Sequence, residues 1–378
     1  MSHYTIEKCL TMAWIVGAHP DMRHNKWQLS IFVALAIGNW ITIYLIISLL
    51  FYKEDTITIG DFAETFSGMS LVIHGIQRSF SLFFNRKQIS EMLQYVRTTF
   101  WKESDLDMTD EEKYICKKYY NRLKIAMYVF ACSCTSNLFG FCCQTFFSDE
   151  NILPLACYKP DWVPFYSFWF LQVLVIFFGV NMAVICLDTL IMTLIVLTHI
   201  QFRLLNHEVE NLYSYGLGQG NRKYFVNKLK KIVRHHNFLL EFTQKINMTF
   251  SETFLTYMGI IIIAICIEMY NLSTGANMEL FIRATLFTTA TLFQFVVFYC
   301  IPAQDLTDEA EKTFSRAYFS KWYENLENAQ PTKNIILQSQ QRVFITAGRL
   351  IDINLATSLA TVKTMVSYCM FLRTMGVD

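Results

Sequence analysis

Long apolar runs separated by short charged stretches set the pattern of this chain. Residues 29–52, 62–84, 125–147, 165–200, 254–272, 280–302 and 351–373 are mostly apolar. Each holds about the 20 residues a helix needs to cross a bilayer. The second run is interrupted by Glu64, His74, Gln77 and Arg78. The fourth would reach about 54 Å as one helix, so it is either two short spans or one helix running past the bilayer. Two segments between runs also read as helical. Glu111 to Lys124 leads into the third run. Arg222 to Phe238 sets Phe225, Leu229, Ile232 and Val233 beside Lys228, Lys230, Lys231 and Arg234. That basic amphipathic segment suits either an anionic membrane face or a subunit-contact layer. His235 and His236 read as solvated positions of the same helix.

Charge decides the span count. With 165–200 as one span, the segments before span one, and between spans two and three, four and five, and six and seven, hold 26 of the 32 Lys and Arg. The opposite loops and the C-terminal tail hold Lys53, Lys159, Arg283 and Arg373. Splitting the fourth run would destroy this asymmetry. The positive-inside rule therefore favours seven spans with a cytoplasmic N-terminus and an extracellular C-terminus. The run Trp14 to Ala18 is too short for a secretory signal, so the first span is expected to serve as the insertion signal. The expected organisation is a cytoplasmic N-terminus (1–28), a six-helix region with a ligand pocket and cytoplasmic extensions (29–302), a cytoplasmic subunit-contact segment (303–350) and a last helix with an extracellular tail (351–378).

The last run carries a second pattern. Asn354, Thr357, Thr361, Thr364, Tyr368, Phe371 and Met375 recur every three or four residues and share one helical face. Hydroxyls in a membrane helix serve interhelical packing. The alternative is a water-filled conduit closed by a bulky apolar ring, which needs several copies around an axis. Lys363 lies mid-span off this stripe, with Asp188 or Asp352 as candidate partners.

Composition narrows the class. Hydrophobic residues make up 53% and charged residues 17% of the 378, with net charge +1. This excludes a disordered chain and argues against a nucleic-acid partner. The 11 cysteines form no disulfide framework, because most fall inside apolar runs. The pairs Cys132/Cys134 and Cys142/Cys143 lack the further ligands of a zinc site, so neither metal nor cofactor is expected. The histidines are scattered without an acid at catalytic spacing, which argues against an enzyme. A G-protein-coupled receptor would place its N-terminus outside and carry DRY-type and NPxxY-type motifs absent here. The sequon Asn271-Leu272-Ser273 falls in an expected outer loop, where glycosylation is possible; Asn247-Met248-Thr249 falls on the inner side.

The stretch Phe295-Val-Val-Phe-Tyr-Cys300, with Ala303-Gln304, Leu306-Thr307, Ala317-Tyr318 and Trp322-Tyr323, resembles the end of span six in insect odorant receptors. Leu359 through Lys363 to Val366-Ser367-Tyr368 and Leu372 is similar to that family's C-terminal signature, with Cys369 where the family often has an aromatic. The length and the lack of a long inner loop between spans four and five resemble a ligand-tuned subunit rather than the co-receptor. Gustatory receptors share the architecture and remain the alternative.

The resemblance implies an all-α membrane protein of seven transmembrane helices. It implies an odorant-gated non-selective cation channel, assembled as a hetero-oligomer with co-receptor subunits in the plasma membrane of olfactory sensory neurons. The last helix would line the pore with Thr361, Thr364 and Tyr368, and the gate would fall on Phe371 and Met375 with Thr374 between them. The ligand, a small volatile apolar molecule, would meet Ser70, Ile73 and His74 in span two and Ser136, Phe139, Gly140 and Cys143 in span three. Ile176 and Val180 in span four, and Phe287, Thr288 and Thr291 in span six, would complete the pocket.

Overall fold

The computed structural model describes residues 2–22, 25–52, 59–147, 153–213, 222–273, 285, 288–320, 322–324 and 329–375. The chain folds into α1 (Ser2–Ile15), α2 (Lys26–Tyr52), α3 (Ile59–Phe84), α4 (Arg86–Thr98) and α5 (Asp110–Phe147). There follows one continuous helical run, α6 (Phe165–Leu174), a π-helical segment (Val175–Asn181) and α7 (Met182–Glu210). After α8 (Arg222–Ser273), residues 288–294 are helical and lead through a second π-helical segment (Phe295–Cys300) into α9 (Ile301–Tyr318). The chain closes with α10 (Ala329–Ser339), a short hairpin of β1 (Thr346–Ala347) and β2 (Ile351–Asp352), and α11 (Leu355–Met375).

The described residues of the apolar runs are helical apart from the start of the seventh, and the fourth run is one continuous helical passage. Lys26–Tyr52, Phe165–Glu210 and Lys223–Ile267 are long and apolar enough by themselves to cross a bilayer, with mean hydropathy 2.1, 2.5 and 2.0. The central post is α7, where 25 of 29 residues are buried. A helix apolar all round is covered on every side, and α1, α3, α5, α8 and α9 pack around this one.

The far half of α7 and the first half of α8 belong to a layer of shorter helices, where polar side chains tie neighbours together. Gln201 accepts from Trp101 N (2.8 Å) and donates to Trp101 O (3.0 Å), pinning the connection between α4 and α5. Asn206 donates to the Glu309 carbonyl (2.8 Å) and accepts from Thr313 Oγ1 (2.7 Å) on α9. The hairpin docks on α8, where Asn247 Oδ1 accepts from Thr346 N (2.9 Å) and Ser251 Oγ donates to Thr346 O (2.9 Å).

The two histidines expected in solvent are buried instead, His235 at 3% and His236 at 1% exposure. His235 stacks on Trp101 (3.9 Å between ring centroids) and bonds Gln201 Oε1 (3.1 Å). Burial, with Lys231 next, pushes the His235 imidazole down to about 3, and burial pushes His236 down to about 4. The cover of His235 comes from a distant connection, which the local helical pattern cannot show. Phe225, Leu229 and Ile232 join the main core, so the basic helix packs into the protein layer.

Gln201→Ala leaves the Trp101 amide and carbonyl without these partners. A loss of about 1–3 kcal/mol is expected, read as a fall in the unfolding temperature of the detergent-solubilised protein. An unchanged temperature would mean the clamp contributes nothing.

Candidate ligand-binding site

Toward the other end of the bundle the helices separate around a cavity of about 400 Å³. Ser70, Leu71 and His74 line it from α3, and Phe130, Ser133, Cys134, Ser136, Asn137, Leu138 and Gly140 from α5. The first π-helical segment supplies Ile176, Val180 and Asn181, and α7 supplies Val184. Ile260, Ile261 and Ala264 of α8, Ala290, Thr291 and Gln294 of the sixth run, and Pro154 and Leu155 of the connection before α6 close it. The wall is mostly apolar with a few polar groups, the character of a small-molecule site.

Seven residues named from the sequence line this cavity: Ser70, His74, Ser136, Gly140, Ile176, Val180 and Thr291. Ile73 and Phe139 face outward, 36% and 70% exposed. The inward stripe of α5 includes Phe130, Ser133, Cys134 and Asn137, spaced by threes and fours, and that register turns Phe139 to the outside. Thr288 is not among the lining residues, although its Oγ1 is buried without a hydrogen-bond partner. Phe287 and the side chain of Cys143 lie outside the described residues.

The contribution of α8, Asn181 and Gln294 goes beyond the residues named from the sequence. Ser133, Ser136 and Asn137, three polar positions close together in an apolar helix, were the available signal for the α5 wall.

One turn below His74 on α3, Arg78 enters a closed polar cluster. Its Nε lies 2.9 Å from Asp188 Oδ1, and both side chains are fully buried. Asp188 also accepts from Tyr299 OH and from Gln294 Nε2. Arg78 Nη2 donates to Tyr299 OH (2.8 Å), and the guanidinium sits 4.5 Å from the centre of the Tyr257 ring. The His74 ring also stacks on Tyr257, at 5.0 Å. Asp188 is thus the partner of Arg78 and not of Lys363, which is exposed on α11. Burial of two charges holds only where each has its counter-ion and hydrogen bonds. Gln294 belongs to both the cavity wall and this cluster.

On α11, Ser358, Thr361 and Met365 are buried against the bundle. Farther along, Thr364, Tyr368, Phe371 and Thr374 are exposed. The stripe is therefore covered by this chain at Thr361 and uncovered from Thr364 onward. The side chain of Met375 lies outside the described residues, as does that of Asn271 in the last turn of α8.

Known proteins are similar to this chain in sequence and in fold. Odorant receptor 13a of Drosophila melanogaster is 25% identical over 205 residues, which is 50% of this chain and 49% of that protein. The aligned stretch thus spans about half the length of this curated relative. The insect olfactory receptor OR5 from Machilis hrabei, solved in complex with eugenol, superposes with a TM-score of 0.83 at 14% identity, covering 98% of this chain and 97% of that one. A further structure of that receptor gives 0.83 at 13% identity, with the same coverage. At such identities the likeness speaks for the fold. The family model of the 7tm odorant receptor matches residues 58–366, from the start of the cavity-bearing helices into α11. By that match the chain belongs to the 7tm odorant receptor family, and its helices take the insect olfactory receptor fold.

Proposed function

We propose that this chain is the ligand-tuned subunit of an odorant-gated, non-selective cation channel, assembled with co-receptor subunits in the plasma membrane of olfactory neurons. The observation that carries this reading is the mostly apolar cavity of about 400 Å³ enclosed by α3, α5, α7 and α8. It suits a small volatile. An apolar ligand burying about 300 Å² gains about 7 kcal/mol, a micromolar-range affinity. Binding opens the channel only to the extent that the ligand favours the open state. The chain acts by binding and gating, with no catalytic step. Its N-terminus and helical layer face the cytoplasm, in keeping with the basic segments between spans.

The uncovered face of α11 supports a pore role. Tyr368 and Phe371 are 55% and 56% exposed, and copies meeting there would enclose a path closed by Phe371 and Met375. Phe371→Ala is expected to raise basal current, because dewetting depends on apolar bulk. Unchanged leak and unchanged open-channel conductance would remove Phe371 from the gate. The reading itself is tested by whole-cell recording with and without a co-receptor against a volatile panel. A rapid cation current only in the co-expressing cells, independent of G proteins, is the expected result. An externally accessible N-terminal tag would overturn the orientation.

A further inference from the structure

The polar groups of the cavity wall are not equivalent. Ser70 Oγ donates to Ser67 O at 2.8 Å, and Gln294 Nε2 donates to Asp188, so both donors are used inside the chain. Two other wall residues keep a buried polar atom without a hydrogen-bond partner: Asn181 Nδ2 and His74 Nε2. Buried polar atoms in folded proteins are nearly always partnered, so each exception asks for a reason.

Backbone geometry puts Asn181 there. Five residues along a regular α-helix is about 140° round the axis, so Asn181 would turn well away from Ile176. The wider i→i+5 turns of the π-helical segment bring it back to the cavity beside Ile176 and Val180. The Gly179 carbonyl in this segment accepts from Asn39 Nδ2 (3.3 Å) and Ser79 Oγ (3.2 Å), which fastens it to α2 and α3. Gly75 on α3 packs directly against Val180. Their chain neighbours, His74 and Asn181, therefore stand at the same level on adjoining helices.

An amide nitrogen can only donate, and the imidazole donates as well in the tautomer that carries its proton on Nε2, which is the one assigned here to His74. A carbonyl oxygen has two lone pairs and can accept from both. We infer that the cavity takes a small apolar molecule bearing one carbonyl oxygen (a ketone, aldehyde or ester), and that Asn181 Nδ2 and His74 Nε2 hold that oxygen. This rests on the proposal above that the cavity is the ligand site of a receptor.

The test uses the purified full chain and three probes of one carbon skeleton: octane, 2-octanol and 2-octanone. Binding is read by tryptophan fluorescence and thermal stabilisation. In the unmodified chain 2-octanone binds about tenfold tighter than octane, a difference of about 1.4 kcal/mol. Asn181→Leu removes that advantage, and its unfolding temperature without ligand reports that the chain is folded. His74→Phe, which keeps a ring against Tyr257, lowers 2-octanone affinity in the same selective way.

Equal binding of octane and 2-octanone by the unmodified chain overturns the inference, as does binding of none of the three. So does undiminished preference for 2-octanone in Asn181→Leu. Currents recorded with co-receptor subunits separate the two proposals. Selective ketone binding without any evoked current would end the channel reading and leave the carbonyl site standing.

Discussion

Asp188→Ala strips the chain from the cell surface. The substitution leaves Arg78 fully buried with its guanidinium facing Tyr257 and Tyr299 and no counter-ion. Breaking one side of a buried pair costs about 3–5 kcal/mol, because the remaining charge stays desolvated. That is a large part of the 5–15 kcal/mol by which folded proteins are stable. Tyr299 and Gln294 lose their acceptor at the same time. Removing both charges is a milder change, since no unpaired ion remains. Arg78→Met with Asp188→Leu is accordingly expected to recover more folded protein than Asp188→Ala alone. Size-exclusion profiles of fluorescently tagged protein provide the measurement. A normal monodisperse peak for Asp188→Ala would show that the pair contributes little.

Gly75→Ala is expected to abolish or strongly weaken the ligand response. A Cβ at Gly75 would lie 2.7 Å from Val180 Cα and 2.7 Å from Val180 Cγ1. Real Cβ atoms do not approach backbone so closely, so α3 and the π-helical segment must part. Overpacking of this kind costs about 1–3 kcal/mol, and it displaces His74 and Val180 in the cavity wall. A concentration–response curve shifted by tenfold or more is the expected readout. Gly259→Ala serves as the control, because a Cβ there meets nothing within 4 Å. Equal responses from the two variants would mean that the contact between α3 and the π-helical segment does not shape the site.

The spans were legible because membrane-length hydrophobicity is a local property, written in about 20 consecutive residues. The positive-inside count made the fourth run one passage, and it is one helical run from Phe165 to Glu210. Cavity residues were legible only in part. On α5 the resemblance implies Ser136, Phe139 and Gly140, and tertiary packing sets a register that turns Ser136 and Gly140 to the wall and Phe139 outward. Asn181 was hidden because a reading at 3.6 residues per turn cannot anticipate a π-helical turn. Pairings across the fold were out of reach for another reason. Arg78 finds Asp188, and His235 finds Trp101, through contacts set by tertiary packing. A single sequence offers Asp188 as a partner to any buried cation, Lys363 included.

The joining of Arg78 to Asp188 also sets a schedule for the chain's manufacture. Roughly 110 residues separate the two, so at ribosomal speeds of about 5–20 residues per second Arg78 is made some 5–20 s before its partner. During that interval α3 carries an uncompensated cation, a burden of about 2.5–3.5 kcal/mol against settling in lipid. The nascent helix is therefore held at the insertion machinery or at the headgroup surface until α7 emerges. A cysteine introduced into α3 would react with a water-soluble maleimide when the ribosome is stalled between the two helices, and would be protected when it is stalled beyond α7.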